Sequence, residues 1–366
     1  MATLKLCLVG GFLGSGKTTA IVEAAKYLHH TKKKVGVITN DQGTRQVDTL
    51  FIKSNDIASE EVSQGCFCCN YEELEEKINF LNLNNSPEII FAESVGSCTD
   101  LAATVINPLF HFNPDQYEIV LSVFADIRLL IKFLQNDKDI FYDTVNYIYE
   151  KQLEEADIIV VNKIDLLNEL QLAAAKKLIA AGYGSKIIHY QNSLSKKSIA
   201  RWLKLVNNNF KNTSLRSSLQ IDYNIYGAGE AELAWLDEEI GIVTKDNSAV
   251  AAGYLLIRKI YNELLKHNHP IGHLKFLMDD GIKQRKISFN SIAENPDSDN
   301  FEYARTDRIS ILVNARVQIT PALLEKIFCD AIIETELSAN CKIIENNRSA
   351  FTPGFPDPTY RIPDSS

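Results

Sequence analysis

No stretch of this chain approaches the roughly 20 apolar residues that a membrane span requires, so no spanning helix is expected. Basic residues are in deficit: 38 Lys and Arg stand against 47 Asp and Glu, a formal net charge of −9. That balance argues against nucleic acid and against an anionic membrane surface as partners. The run Lys32–Lys34 reads as a solvated turn. The apolar stretch Leu4–Val9 leads directly into a glycine loop and not to a cleavage site, so no signal peptide is read. Internal repeats, low-complexity tracts and a histidine-rich metal store are all missing. Cysteine is odd in number, seven in 366 residues, with three at 66, 68 and 69. Such clustering excludes a disulfide framework and points to a metal or redox cluster in a reducing compartment, so a cytoplasmic location is expected.

What is present suits two globular cores: 366 residues, 45% hydrophobic and 23% charged. The first 210 residues alternate apolar strands with helical patterns. After Leu4–Val9 the strands are read at Lys34–Asn40, Pro87–Ser94, Tyr117–Asp126, Asp157–Asn162 and Lys186–Tyr190. Helices are read at Tyr71–Leu83, Phe141–Glu155 and Glu169–Ala181. The strands are rich in Val, Ile and Leu with little alternation, so both faces should be covered. The expected fold class is α/β, a doubly wound and mostly parallel sheet over 1–210. A polar linker is expected near 211–220, then a smaller α+β domain over 221–350 and an extended proline-rich tail over 351–366. In that second domain Glu232–Thr244 reads as a strand pair or bent strand. Ala249–Lys266 and Ala322–Leu337 read as helices, and His273–Met278, Lys286–Asn290 and Arg308–Gln318 as strands.

Gly11-Phe12-Leu13-Gly14-Ser15-Gly16-Lys17-Thr18, followed by Thr19, fits the phosphate-binding loop G-x-x-x-x-G-K-[ST], between a strand and a helix. Glycines let backbone N–H groups turn toward an anion, and the helix N-terminus adds a favourable dipole. Lys17 would neutralise the β- and γ-phosphates, and Thr18 would hold Mg²⁺. Glu93 ends an apolar strand downstream, where an acid reaches Mg²⁺, and Gly96 would let a loop approach the γ-phosphate. The alternative for Glu93 is a capping or surface role. Asn162-Lys163-Ile164-Asp165 closes another strand. Asp165 could accept from the ring N–H and exocyclic amine of guanine, two donors that adenine lacks in those places, while the Lys163 stem lies across the base. The alternative is an exposed turn with a capping Asp.

Gly65-Cys66-Phe67-Cys68-Cys69-Asn70 is the next most informative segment. In extended chain Cys66 and Cys68 point to one side, and Cys69 joins them if the chain turns there. Asn70 is a good N-cap for the following helix, so a turn is expected. Three thiolates suit Zn²⁺ or another thiophilic ion such as Co²⁺, with a fourth position left open. Three small buried residues or a redox sensor are the alternatives. Cys98, five residues past Glu93, is either packing or a fourth ligand on a nucleotide-sensitive loop. His267, His269 and His273 could form a weak site, although solvated histidines are the commoner case.

Taken together, Gly10–Thr19, Gly65–Cys69, Glu93-Ser94-Val95-Gly96 and Asn162–Asp165 resemble the CobW-like family of phosphate-loop GTPases, metallochaperone branch. The likeness covers about the first 200 residues. It implies GTP hydrolysis with Mg²⁺, coupled to handling of zinc or cobalt for a client metalloprotein; a homodimer is a further option. Some members carry Glu-Asn-Glu-Phe-Gly where this chain has Thr39-Asn40-Asp41-Gln42-Gly43; Asp41 keeps an acid and joins Lys17 and Glu93 as the expected catalytic set. Arg45 and Arg128 are candidate arginine fingers. Without one, turnover should be slow, on the order of 10⁻⁴ to 10⁻² per second. Rival readings are a GTP-dependent chaperone for a corrinoid enzyme and a nucleotide-binding metal or redox sensor with little turnover.

Overall fold

The computed structural model describes residues 3–40, 47–63, 65–136, 140–210, 215–291 and 305–363. The chain divides into two compact units. The first contains Met1–Gln42, Ile52–Gly229 and Phe355–Ser366, and the second Gly43–Phe51 and Glu230–Gly354. The boundaries expected from sequence run in chain order, whereas these units interleave. A short segment near residue 47 goes with the second unit, and the tail returns to the first.

In the first unit, β1 (Leu4–Gly11), β2 (Val35–Asn40), β3 (Ser59–Val62), β4 (Ile89–Glu93), β5 (Tyr117–Asp126), β6 (Ile158–Asn162) and β7 (Ile187–Tyr190) form one sheet. The order is β3-β2-β4-β1-β5-β6-β7, and every pairing is parallel, so the expected mostly parallel sheet is wholly so. Both faces are covered, as the unbroken apolar runs require. Leu6, Cys7, Leu8 and Val9 of β1 are all buried. The register fixes the working edge. Val9 lies opposite Glu93, Gly11 opposite Phe124, and Asp126 opposite Asn162. The ends of four strands thus meet where ligands of open α/β sheets bind. Among the elements that the sequence reading did not name are the helices Val47–Lys53, Ile127–Leu134, Lys196–Asn208 and Tyr223–Ala231, and β3. β3 reads Ser-Glu-Glu-Val because it is an edge strand with three half-exposed residues, so it carries charge and little apolar signal.

The second unit is a five-stranded antiparallel sheet built from β8 (Ala234–Val243), β9 (Ile271–Asp279), β10 (Gln284–Phe289), β11 (Arg308–Val317) and β12 (Lys342–Phe351). Its order is β10-β9-β11-β8-β12. Alternate residues of the strands, among them Leu236, Ile240, Phe276, Met278, Ile311 and Val313, share a core with the helices Ala249–Lys266 and Pro321–Ala339. Glu232–Thr244 becomes one long strand, not a pair. β12 was not foreseen, because Lys-Ile-Ile-Glu-Asn-Asn-Arg-Ser-Ala-Phe is a polar edge strand, broken in register between Asn346 and Ser349. Within this unit Val47 donates its N–H to Asn314 Oδ1 at 2.8 Å and packs on Leu277 and Leu312. Burial pushes the Asp48 carboxyl up, but Lys275 at 2.5 Å and Lys286 at 2.6 Å outweigh it and hold it well below the usual range. Among the described residues, no helix is long and apolar enough to cross a membrane.

Candidate functional site

The glycine loop leaves β1 and enters the helix Lys17–His30. Gly16 has φ +91°, and a Cβ there would stand 2.5 Å from Asn162 Nδ2, so no side chain fits. Lys17 is buried and its ammonium donates to Gly11 O at 2.6 Å, inside the loop. The Thr18 hydroxyl donates to Glu93 Oε1 at 2.9 Å, joining the helix start to the end of β4. Ser15 Oγ is buried with no hydrogen-bond partner among the described residues. Gly14 and Thr19 are half-buried around it. An orphaned hydroxyl, a buried ammonium and a backbone cradle fit a bound phosphate chain.

Asn162-Lys163-Ile164-Asp165 stands beside this loop. Asn162 Nδ2 donates to Ser15 O at 2.9 Å, and Lys163 Nζ donates to Gly14 O at 2.7 Å. Asp165 is exposed on the turn Ile164–Leu166. Two supports were missed from sequence. Ser193 donates to Asn162 Oδ1 at 2.8 Å from the loop after β7. Asp126 takes Lys163 at 2.9 Å and Arg128 at 2.7 Å. Burial would raise the Asp126 carboxyl, yet Arg128 and Lys163 bring it down to about 2. An acid closing the strand Tyr117–Asp126 was the available signal. Arg128, expected as a candidate finger, is instead engaged through Nε and a second nitrogen by Asp126. Asp41 and Arg45 lie outside the described residues.

The chain does turn at the cysteines: Cys69 and Asn70 both donate their N–H to Cys66 O, at 3.0 and 2.9 Å. The three sulfurs converge, with Cys66–Cys68 at 2.7 Å, Cys66–Cys69 at 3.0 Å and Cys68–Cys69 at 3.8 Å. Among the described residues this is the one group of three whose ligand atoms all lie within 4.8 Å of one another. Tetrahedral Zn–S bonds of about 2.3 Å place sulfurs about 3.8 Å apart, so two of the spacings would widen around an ion. Cys98 is buried and close enough to act on the Cys66 and Cys68 thiols, but its sulfur is not one of the three that lie within 4.8 Å of one another. The surrounding sulfurs of Cys68 and Cys69, then that of Cys98, hold the Cys66 thiol well below its usual range. The neighbouring Cys66 sulfur, with burial, raises Cys69 to about 11.

The loop is fixed by side chains that were not singled out as anchors. Asn40, at the end of β2, donates to Val62 O at 3.1 Å and Gly65 O at 2.6 Å and accepts from Phe67 N–H at 2.9 Å. Asn70 does sit at the helix N-cap position, but its side chain donates to Ser63 O at 3.0 Å and makes no cap bond. Gln152 donates to both Gly96 O and Cys98 O, at 3.0 and 2.8 Å. Gly96 lies so close to the phosphate loop that a Cβ would stand 2.5 Å from the Leu13 side chain. The histidines do not assemble in this way: His267 bonds Glu263 at 3.0 Å near a helix end, and His273 is buried in β9.

The model of the CobW/HypB/UreG nucleotide-binding domain matches residues 5–188, half of the chain. The chain belongs to that family. The matched stretch holds the glycine loop, Glu93, Asn162–Asp165 and Cys66, Cys68, Cys69 and Cys98, while Ser193 and the histidines lie beyond it. Similar proteins include the zinc chaperone CobW of Sinorhizobium sp, 26% identical over 197 residues, which cover 48% of this chain and 54% of that one. The zinc chaperone YeiR of Escherichia coli (strain K12) is 28% identical over 164 residues, 43% of this chain and 46% of that one. The chain thus spans about half the length of the curated relatives it matches. Among solved structures, HypB from Helicobacter pylori in complex with nickel aligns with a TM-score of 0.43 at 16% identity, over 58% of this chain and 91% of that one.

Proposed function

We propose that this protein is a GTP-hydrolysing metallochaperone that carries a thiophilic divalent ion, Zn²⁺ or Co²⁺, and passes it to a client metalloprotein under control of the nucleotide. One observation carries the reading. Glu93, bonded to Thr18, and Cys98, buried and near enough to act on Cys66 and Cys68, are the two ends of one short loop that packs through Gly96 on Leu13. A change at the phosphates therefore has a direct covalent route to the sulfurs.

On the nucleotide side, Lys17 would move from Gly11 O to the β- and γ-phosphates, and Thr18 and Glu93 would hold Mg²⁺. Mg²⁺, when bound, supplies neutralisation of the charge on those phosphates. Asp165 and Asn162 would select guanine, Asn162 and Lys163 already bracing the loop at Ser15 and Gly14. On the metal side, Cys66, Cys68 and Cys69 would bind the cargo, with Cys98 as the fourth thiolate. Relatives named zinc chaperones support a metal as the cargo.

Cobalt-substituted protein tests this, because thiolate-to-metal charge transfer counts sulfurs. Four are expected in wild type and three in Cys98→Ser. Metal affinity should differ between GTP-analogue and GDP forms, and Cys98→Ser should remove that difference. Identical spectra and affinities for wild type and Cys98→Ser in both states would reject the coupling.

A further inference from the structure

The carboxyl-terminal segment, far away in sequence, crosses the cysteine loop. Thr359 donates its N–H to Cys68 O at 2.8 Å and its hydroxyl to Cys69 O at 2.9 Å. The Tyr360 ring meets Tyr71 edge-on at 5.3 Å and Phe112 at 4.8 Å. Arg361 pairs with Asp100 at 2.8 Å and donates to Leu219 O at 3.0 Å. Ile362 donates to Ala103 O at 2.9 Å and accepts from Asn107 at 2.7 Å.

These contacts have a pattern. One set holds the turn that carries Cys68 and Cys69, and the other holds Asp100–Asn107, which begins two residues past Cys98. The segment therefore staples together the two loops that supply the sulfurs. It does so at Cys69, the least buried of the four sulfur-bearing residues. Asp100 is almost fully buried, and its Oδ1 has no partner among the described residues. Removing Arg361 would leave a buried carboxylate without its cation, so the strap does not lift freely.

We propose that Phe355–Pro363 is a strap over the cysteine cluster that limits how fast the metal passes to an acceptor thiol. This rests on the reading of the cluster as a metal site. Transfer begins at the accessible sulfur. An acceptor thiol bonds to the metal as the metal–Cys69 bond breaks, and the acceptor's proton ends on Cys69. The strap holds the carbonyls of Cys68 and Cys69, which fixes the turn and the orientation of that sulfur. A client must displace the strap to reach the metal.

The test uses the full chain loaded with Zn²⁺ and follows extraction by a colorimetric chelator. Thr359→Pro removes both donors to the cysteine turn, and Arg361→Gln removes the latch to Asp100. Both should release zinc about tenfold faster than wild type with the metal-to-protein ratio unchanged; rates within twofold of wild type in both variants would overturn the proposal. A second arm uses metal-free protein and measures alkylation of Cys69 by peptide mapping, with circular dichroism to confirm folding. Cys69 should react about tenfold faster in Thr359→Pro, and equal rates would again overturn it. If wild type binds no zinc, the metal reading fails on its own and the alkylation arm alone decides whether the strap covers Cys69.

Discussion

The phosphate loop and the cysteine loop belong to the same sheet unit, yet different parts of the chain hold them. The phosphate loop is braced by the ends of neighbouring strands: Glu93 on Thr18, Asn162 on Ser15, and Lys163 on Gly14. Those braces sit where the parallel sheet places them, and they are the same residues that would touch the nucleotide. The cysteine loop takes its support from side chains with no role in binding, Asn40 and Asn70, and from Thr359 near the chain end. A site held by the sheet is rigid. A site held partly by a segment outside the sheet can open without disturbing the sheet, which suits cargo that must leave.

That contrast breaks most sharply at Lys17. Lys17→Ala removes the buried ammonium at the start of the helix, and GTP affinity should fall by roughly 100-fold or more, because a charge-assisted contact to the phosphates is lost. The metal-to-protein ratio should not change. Titration with a fluorescent GTP analogue, paired with metal analysis, reads both. Loss of metal together with GTP would mean that the two loops are one cooperative site.

Asp165 gives a smaller effect on the nucleotide side. Hydrogen bonds to a charged group contribute about 1.5–3 kcal/mol each, so two from guanine set a GTP-over-ATP preference of roughly 100-fold at the least. Asp165→Ala should bring the ratio close to one without lowering thermal stability, since Asp165 is exposed. Calorimetry showing equal GTP and ATP affinities in the wild type would remove guanine from the proposal.

The same contrast explains what could be read from the amino-acid sequence. β1, the glycine loop and its helix were legible, because their signals are local: an apolar run, a fixed glycine spacing and a helical period. So were Tyr117–Asp126 and Ala249–Lys266, whose observed limits match the reading. The convergence of Cys66, Cys68 and Cys69 was legible, with Cys98 read as a candidate for joining them. Its scaffold was not. Asn40 and Gln152 look like ordinary polar residues until the fold brings them to the backbone of Gly65 and Cys98. The tail read only as extended and proline-rich, since a strand-like segment bonded to a distant loop leaves no periodicity. β3 and β12 were hidden for a related reason: edge strands expose one side and carry the polar residues that periodicity arguments treat as loop.

On the metal side, Asn40→Ala should sharpen the difference. It leaves Phe67 N–H without its acceptor and the carbonyls of Val62 and Gly65 without their donor, a loss of about 1–3 kcal/mol. Metal affinity should drop about tenfold in a chelator competition, with a smaller change in GTP affinity. An unchanged metal affinity would show that the strap alone shapes the cysteine turn.

The smallest expected effect lies where the strap meets the nucleotide-linked loop. Glu155, the last residue of the helix Asp143–Glu155, accepts from Thr99 Oγ1 at 3.2 Å and Ala102 N–H at 3.3 Å. Burial, and then the charge of Asp100, push its carboxyl up from the usual 4.5 to about 8. The folded protein therefore keeps a proton there that the unfolded chain gives up. The sign follows: the stabilising contribution is fully present below about pH 4.5 and is lost as pH rises toward 8, with a slope of at most about 1.4 kcal/mol per pH unit. Glu155→Gln should remove that slope, so the variant gains on wild type between pH 5.5 and pH 7.5 in denaturant midpoints. In Arg361→Gln the Asp100 charge loses its cation and the Glu155 transition should move higher still. Parallel pH profiles for wild type and Glu155→Gln would place the proton elsewhere. A profile unmoved by Arg361→Gln would mean that the tail does not act on this loop through charge, and that its hold on the cysteine turn is mechanical only.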